Sequence, residues 1–234
     1  MNLDAPSPVF DSLPRTSLLD FSGHIAAVFF TSGCNFNCGY CHNRDLLRHE
    51  NPRRTWRQLA MACRFFKDNW AGAAVVTGGE PTVSHDLPEL LTFLRGQGLR
   101  VKLDTNGSNP AMLRRCLPMV DYVAMDIKAS PERYPELTGF RHTENLRESV
   151  EMLKEGRVDY EFRTTVIEPF HTDEEMEKIA SWVKGARRYV LQPFVPRDSI
   201  ADPGYAALSR TSGKRLQALR ERFAGVTEQV VQYS

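Results

Sequence analysis

The sequence predicts an α/β fold, a parallel sheet with outer helices, and three observations lead there. Six short, mostly continuous apolar runs recur along the chain, as strands buried on both faces require. Segments of helical periodicity separate them. The residues richest in chemistry lie just past the ends of those runs, at the carboxyl edge where parallel sheets gather their sites.

The strand candidates are 25–31, 73–77, 100–104, 120–125, 159–166 and 188–192. Thr55 to Gln58 and Thr172 to Glu175 each fit a capping box, in which the Thr hydroxyl and the distal acid or amide satisfy orphan N–H groups. The first predicted helix carries Trp56, Leu59, Cys63, Phe66 and Trp70 on one apolar face, and a later one carries Met176, Ile179 and Val183. Leu87, Leu90, Leu91 and Leu94 form a further stripe, and Leu146, Val150 and Leu153 another. Residues 197–234 read as a helix around Leu216, Leu219 and Phe223 followed by a short apolar tail. Alternating βα units form parallel sheets with right-handed crossovers. With no linker long enough to split the chain, one domain over 1–234 is expected, its core at about 15–195.

Composition narrows the function classes. Of 234 residues, 41% are hydrophobic and 25% charged, which argues against general disorder. Thirty basic residues against 29 acidic give a net charge of +1, so no strong field points to nucleic acid or a membrane surface. The longest apolar run, Ile25 to Phe30, falls far short of the roughly 20 residues that cross a bilayer. Asp4, Pro6 and Pro8 near the N-terminus do not form a signal-peptide pattern, and a cytoplasmic location is expected.

Cysteine is more telling. There are five, and Cys34, Cys38 and Cys41 crowd into the segment Cys-Asn-Phe-Asn-Cys-Gly-Tyr-Cys, a C-x3-C-x2-C spacing. A disulfide framework prefers an even, dispersed set; a tight cluster reads as metal or redox chemistry. Three soft thiolates on one loop suit an iron–sulfur cluster. Structural zinc is the alternative, but it wants a fourth ligand, and His42 is awkwardly adjacent to Cys41. Cys63 lies on an apolar helical stripe and Cys116 beside Met112, Leu113 and Leu117, so both read as core thiols. His24, His49, His85, His142 and His171 fall in loops or helix starts and read as solvated.

Other groups terminate the strands. Gly78-Gly79-Glu80-Pro81 follows the second: its glycines allow close backbone approach to a ligand, or form a plain turn, and Glu80 can pair with an ammonium. Asp104 and Asp126 end neighbouring predicted strands, so both carboxylates point to one edge, where they could hold ribose hydroxyls or a monovalent cation. Lys128 offers a positive charge to an anionic ligand, and Asn106 a hydrogen bond. Arg163, inside an apolar strand, requires a buried anion, either a ligand carboxylate or an internal Glu.

Taken together, the chain resembles the radical S-adenosylmethionine (SAM) superfamily. The C-x3-C-x2-C loop with Tyr40 before its last cysteine matches that signature, and Gly78-Gly79-Glu80 matches the family's GGE motif. Within the superfamily, Ser17 to Gly23, Cys41 to Asp45, Leu103 to Gly107 and Met125 to Lys128 look like the glycyl-radical-enzyme activases. The likeness is strongest to activators of anaerobic ribonucleoside-triphosphate reductase and next to those of pyruvate formate-lyase. The resemblance implies an incomplete (β/α)6 TIM-like barrel and one [4Fe-4S] cluster on Cys34, Cys38 and Cys41. It places SAM against Tyr40, Gly78, Gly79, Glu80, Asp104, Asn106, Asp126, Lys128 and Arg163, with a monovalent cation nearby. Its partners would be a glycyl radical enzyme, namely the anaerobic reductase, and a flavodoxin or ferredoxin. Some related activases carry extra cysteines after the cluster loop, whereas the stretch between Cys41 and Trp56 has none, so the electron should come from outside.

Overall fold

The computed structural model describes residues 2–10, 15–47, 52–200 and 202–232. They form two compact units: Met1–Asn35, Asp45–Thr105 and Asn109–Val123 make one, Phe36–Arg44, Asn106–Ser108 and Ala124–Ser234 the other.

The first unit contains β1 (Pro6–Phe10), β2 (Arg15–Ser17), β3 (Ala26–Thr31), β4 (Arg53–Thr55), α1 (Trp56–Asp68), β5 (Ala73–Gly78), α2 (Leu87–Gly96), β6 (Arg100–Thr105) and α3 (Pro110–Cys116). Its centre is the parallel trio β3, β5 and β6, with Ala26 opposite Ala73, Thr31 opposite Gly78 and Val76 opposite Leu103. These strands are almost wholly buried, which is why they read as continuous apolar runs. β1 and β2 lie antiparallel against β3, and β4 antiparallel against β1. The sequence did not announce these three. β2 and β4 have only three residues each, Arg-Thr-Ser and Arg-Arg-Thr, with no apolar run to see.

Helix α1 begins as its capping box requires: the Gln58 amide N–H donates to Thr55 Oγ1 at 3.2 Å, and Thr55 N–H to Gln58 Oε1 at 2.8 Å. Trp56, Leu59, Cys63 and Phe66 turn inward. The predicted stripe overreaches at its end, because Trp70 lies outside the helix and is 85% exposed. The chain closes a Schellman turn there, with Trp70 N–H donating to Lys67 O and Ala71 N–H to Phe66 O. That turn holds Trp70 in the left-handed region (φ 74) and swings its ring off the buried face. In α2 all four predicted leucines are fully buried, each such side chain stabilising by about 1.5–3 kcal/mol.

Strand β7 (Tyr122–Asp126) begins in the first unit and ends in the second. The second unit continues with α4 (Tyr134–Thr138), α5 (Thr143–Glu155), β8 (Asp159–Val166), α6 (Asp173–Val183), β9 (Arg188–Pro193), α7 (Pro203–Ala206), α8 (Gly213–Phe223) and β10 (Gln229–Gln232). β8, β9 and β10 pair in parallel, with Phe162 opposite Tyr189 and Gln229 opposite Arg188. The predicted apolar faces of α5, α6 and α8 are buried, and Phe223 stacks on Tyr189 at 4.6 Å. The apolar tail is the strand β10. The second capping box forms only by half. Thr172 Oγ1 accepts from Glu175 N–H at 3.3 Å, but the Glu175 carboxylate turns away to accept from Ser130 N–H and Ser130 Oγ. Two donors from one buried serine, its N–H and its hydroxyl, outcompete one at an exposed helix start. Among the described residues no helix is long and apolar enough to cross a membrane.

Candidate active site

In the first unit the strand ends meet through backbone. Gly78 has φ +131, and a Cβ there would lie 2.3 Å from both Thr31 N and Thr31 O. At Gly79 a Cβ would fall 2.0 Å from Gly33 O. The two glycines thus let the end of β5 press against the segment leading into Cys34. That approach is locked by Gly79 N–H donating to Thr31 O at 3.0 Å and Glu80 N–H to Gly33 O at 2.7 Å. Glu80 is 1% exposed, and its Oε1 accepts from Thr82 N–H at 3.0 Å, Thr82 Oγ1 at 2.5 Å and Thr105 Oγ1 at 2.6 Å. Asp104, at the end of β6, sits 3.3 Å from the ammonium of Lys102, whose side chain is 4% exposed and also donates to Asp20 O. Sequence reading passed over Lys102, which looks like an ordinary strand residue, and gave Thr105 no role of its own within the Leu103 to Gly107 motif.

The second unit gathers charge. Asp126 Oδ2 lies 3.0 Å from Lys128 Nζ, while Asp126 Oδ1 accepts from Arg163 Nε at 2.9 Å and lies 2.9 Å from Arg163 Nη2. Within the chain the anion that Arg163 meets is Asp126, an aspartate and not the internal Glu expected. Burial alone would raise the Asp126 pKa, but Arg163 and Lys128 outweigh it and hold it down at about 2. Burial likewise opposes the Lys128 ammonium, yet Asp126 keeps its pKa well above the ordinary value. Cys38 and Tyr40 are buried beside this group. Burial pushes the Cys38 thiol up to about 11, against the pull of Lys128, and pushes Tyr40 well above its usual range. Cys41 N–H donates to Cys38 O, closing a turn between those two cysteines. Asn106 Oδ1 accepts from Ser108 N–H at 2.9 Å, so that oxygen shapes the turn after β6. Tyr205 of α7 lies against the loop, 5.7 Å from the Tyr40 ring, and leaves no room for a Cβ at Gly39.

The first unit therefore holds Cys34, Gly78, Gly79, Glu80 and Asp104, and the second brings Cys38, Tyr40, Asp126, Lys128 and Arg163 together. Cys63 and Cys116 are fully buried core thiols, both pushed up to about 12 by burial. Of the histidines read as solvated, His85 and His142 are exposed, His24 is half-buried against Phe21, and His49 lies outside the described residues. His171 is the exception, at 0% exposure, because it hydrogen-bonds two backbone groups inside the second unit. With His171, sequence reading also missed Tyr134 and Glu175. Their roles lie in contacts with the loop after β7, and no local motif marks them.

The donor set fits an iron–sulfur cluster. None of the five cysteines is in a disulfide, and Cys34, Cys38 and Cys41 lie on irregular chain that helix or strand geometry does not constrain. A buried thiolate at Cys38 is costly without adjacent positive charge, which iron supplies. Among the described residues no three His, Cys, Asp or Glu side chains stand close enough to share a single ion, so the fit rests on donor chemistry and spacing.

Residues 28–183 match the model of the radical SAM superfamily, two thirds of the chain. The chain belongs to the radical SAM superfamily. Radical SAM enzymes use a [4Fe-4S] cluster and SAM, and this is a radical SAM enzyme. A Methanocaldococcus jannaschii protein named as a glycyl-radical enzyme activating enzyme is 31% identical over 191 residues, 78% of each chain. The pyruvate formate-lyase-activating enzyme of Streptococcus mutans is 28% identical over 187 residues, 73% of this chain and 71% of that one. Among solved structures, Streptococcus suis SuiB bound to SAM shares the fold at a TM-score of 0.66 and 15% identity. The match covers 88% of this radical SAM chain, which spans about half the length of SuiB, 49%. The α/β class with parallel strands and flanking helices is thus the one the sequence predicted.

Proposed function

We propose that this radical SAM enzyme is an activase that generates a glycyl radical on a partner enzyme, an anaerobic ribonucleoside-triphosphate reductase, using an electron from a flavodoxin or ferredoxin. The observation that carries the reading is the cysteine loop together with the half-buried Asp126–Lys128–Arg163 group beside Cys38. The activase kind is supported by the two relatives above, and the choice of reductase by the motifs around Cys41, Asp104 and Asp126.

In this reading Cys34, Cys38 and Cys41 would hold the cluster. Bound there, the cluster and SAM would supply the chemistry of hydrogen abstraction by a 5'-deoxyadenosyl radical. The chain's own residues bind and orient. Lys128, kept cationic by Asp126, faces the SAM carboxylate, and Arg163 anchors Asp126 so that the ammonium has a fixed origin. Tyr40 packs toward the adenine, while Asp104 and Asn106 stand at the end of β6 for the ribose and a monovalent cation. Glu80, held on Oε1 by Thr82 and Thr105, faces the SAM ammonium with Gly78 and Gly79. Tyr205 and His42, whose ring hydrogen-bonds Val195 O at 2.9 Å, tie residues after β9 to the cluster loop and exclude water from it.

The test is anaerobic reconstitution followed by metal and sulfide analysis, then incubation with reductant and SAM. About four iron and four sulfide per chain are expected, with release of 5'-deoxyadenosine and methionine. One zinc per chain and no SAM cleavage would overturn the reading.

A further inference from the structure

His171, between β8 and α6, is fully buried, yet both of its ring nitrogens are engaged. Nδ1 accepts from the Ile167 N–H at 2.9 Å. A backbone amide only donates, so Nδ1 carries no proton, Nε2 must carry it, and that N–H donates to the Lys128 carbonyl at 3.0 Å. The ring therefore works as a neutral strut between the end of β8 and the loop after β7.

That loop is pinned on every side. Ile127 N–H donates to Arg163 O at 2.8 Å, and Thr164 Oγ1 to Ile127 O at 2.6 Å. Lys128 N–H donates to Tyr134 Oη at 2.9 Å, and Tyr134 in turn donates to Asp126 O at 3.3 Å. With its N–H on Tyr134 and its C=O on His171, both backbone polar groups of Lys128 are held, and the side chain they carry brings its ammonium to Asp126 Oδ2 at 3.0 Å. The strut is itself braced, since Arg215 Nη2 donates to His171 O at 2.8 Å and the His171 N–H donates to Ile167 O at 2.7 Å. Arg133 lies 3.7 Å above the neighbouring Phe170 ring and donates to Phe170 O.

We propose that His171 is a positioning residue, which sets where Lys128 presents its ammonium to the carboxylate end of SAM. The inference rests on the reading of Lys128 given above. It predicts that His171 acts on SAM binding through Lys128 and not through general stability.

The experiment compares reconstituted holoenzyme variants by anaerobic equilibrium dialysis with labelled SAM. His171→Leu leaves the Lys128 carbonyl and the Ile167 N–H without their partner, and affinity falls about tenfold. Iron and sulfide content stays that of the parent. Cleavage at saturating SAM changes less than about threefold, so the loss falls on KM. His171→Gln, which offers an acceptor and a donor at similar separation, restores affinity to within about threefold. His171→Asn keeps an acceptor for Ile167 but falls short of Lys128, gives the same loss as leucine, and replaces it where the leucine variant does not fold. The double variant Lys128→Met/His171→Leu, or its asparagine counterpart, binds SAM no worse than Lys128→Met alone, because the strut has nothing left to aim. Parent-like affinity in both His171→Leu and His171→Asn, a loss that adds fully to that of Lys128→Met, or no rescue by glutamine would overturn the proposal. Unchanged affinity in Lys128→Met overturns the Lys128 reading and the strut with it. A weakened Lys128→Met beside unaffected His171 variants overturns the strut alone.

Discussion

The two units build their shares of the site by different physics. In the first, position is set by steric contact, with Gly78 and Gly79 pressed against Thr31 and Gly33 so closely that no side chain fits. In the second, position is set by charge, with one carboxylate, Asp126, holding both Lys128 and Arg163. The steric arrangement fails abruptly when an atom is added and is indifferent to pH. The electrostatic one tolerates shape changes but fails when a charge is removed. Tests that break one and spare the other sharpen the contrast.

The largest effect is expected from Cys38→Ala, which removes one cluster thiolate. The reconstituted protein should lose its iron–sulfur absorbance, and 5'-deoxyadenosine formation should fall below detection. Next is Gly79→Ala, whose Cβ meets the Gly33 carbonyl at 2.0 Å. Backbone cannot step aside cheaply, so a loss of about 3 kcal/mol is expected in chemical unfolding. The control is Gly72→Ala, where a Cβ meets nothing within 4 Å and stability should change by about 0.5 kcal/mol or less.

Asp126→Asn should come third. It leaves the side chains of Arg163 and Lys128, 12% and 18% exposed, facing an amide, at a cost of about 3 kcal/mol in the same assay. Glu80→Gln in the first unit should cost less, about 1 kcal/mol, because the amide oxygen still accepts and the Thr82 and Thr105 hydroxyls can reorient. Equal losses at the two positions would erase the distinction drawn here.

The last effect is on acid stability. Burial pushes His171 down from 6.5 to about 4, and Arg133 and Arg215 add to that. Between those values the unfolded chain binds a proton that the folded chain does not, so stability falls as pH drops from about 6.5 to 4. Asp126, held at about 2, contributes stability that is complete above 3.8 and lost as pH falls through 2. Unfolding midpoints measured from pH 7 to 4 should show the histidine slope in the parent and a flatter line in His171→Gln.

How much of this was legible in the sequence follows the same division. The six long strands, the buried faces of α2, α5, α6 and α8, and the core thiols Cys63 and Cys116 all declare themselves through local apolar periodicity. Local signals also mark Cys34, Cys38 and Cys41 by spacing, and Gly78 and Gly79 by their place after a strand. Trp70 has the right spacing for the α1 stripe, but the Schellman turn, formed after Asp68, overrode it. Glu175 fits a capping box, but Ser130, 45 residues earlier in the chain, claims its carboxylate. Pairings across tens of residues leave no trace in local pattern. The same holds for Lys102 with Asp20 O, for Arg163 with Asp126 and for His171 with Lys128 O.

The central claim is that this radical SAM enzyme activates a glycyl radical enzyme, and electron paramagnetic resonance tests it most directly. Reconstituted protein, reductant and SAM are incubated with an anaerobic ribonucleoside-triphosphate reductase and frozen. A glycyl radical signal on the reductase, absent when SAM or Cys38 is removed, is the predicted result. Vigorous SAM cleavage with no radical on that partner or on any other glycyl radical enzyme would contradict it.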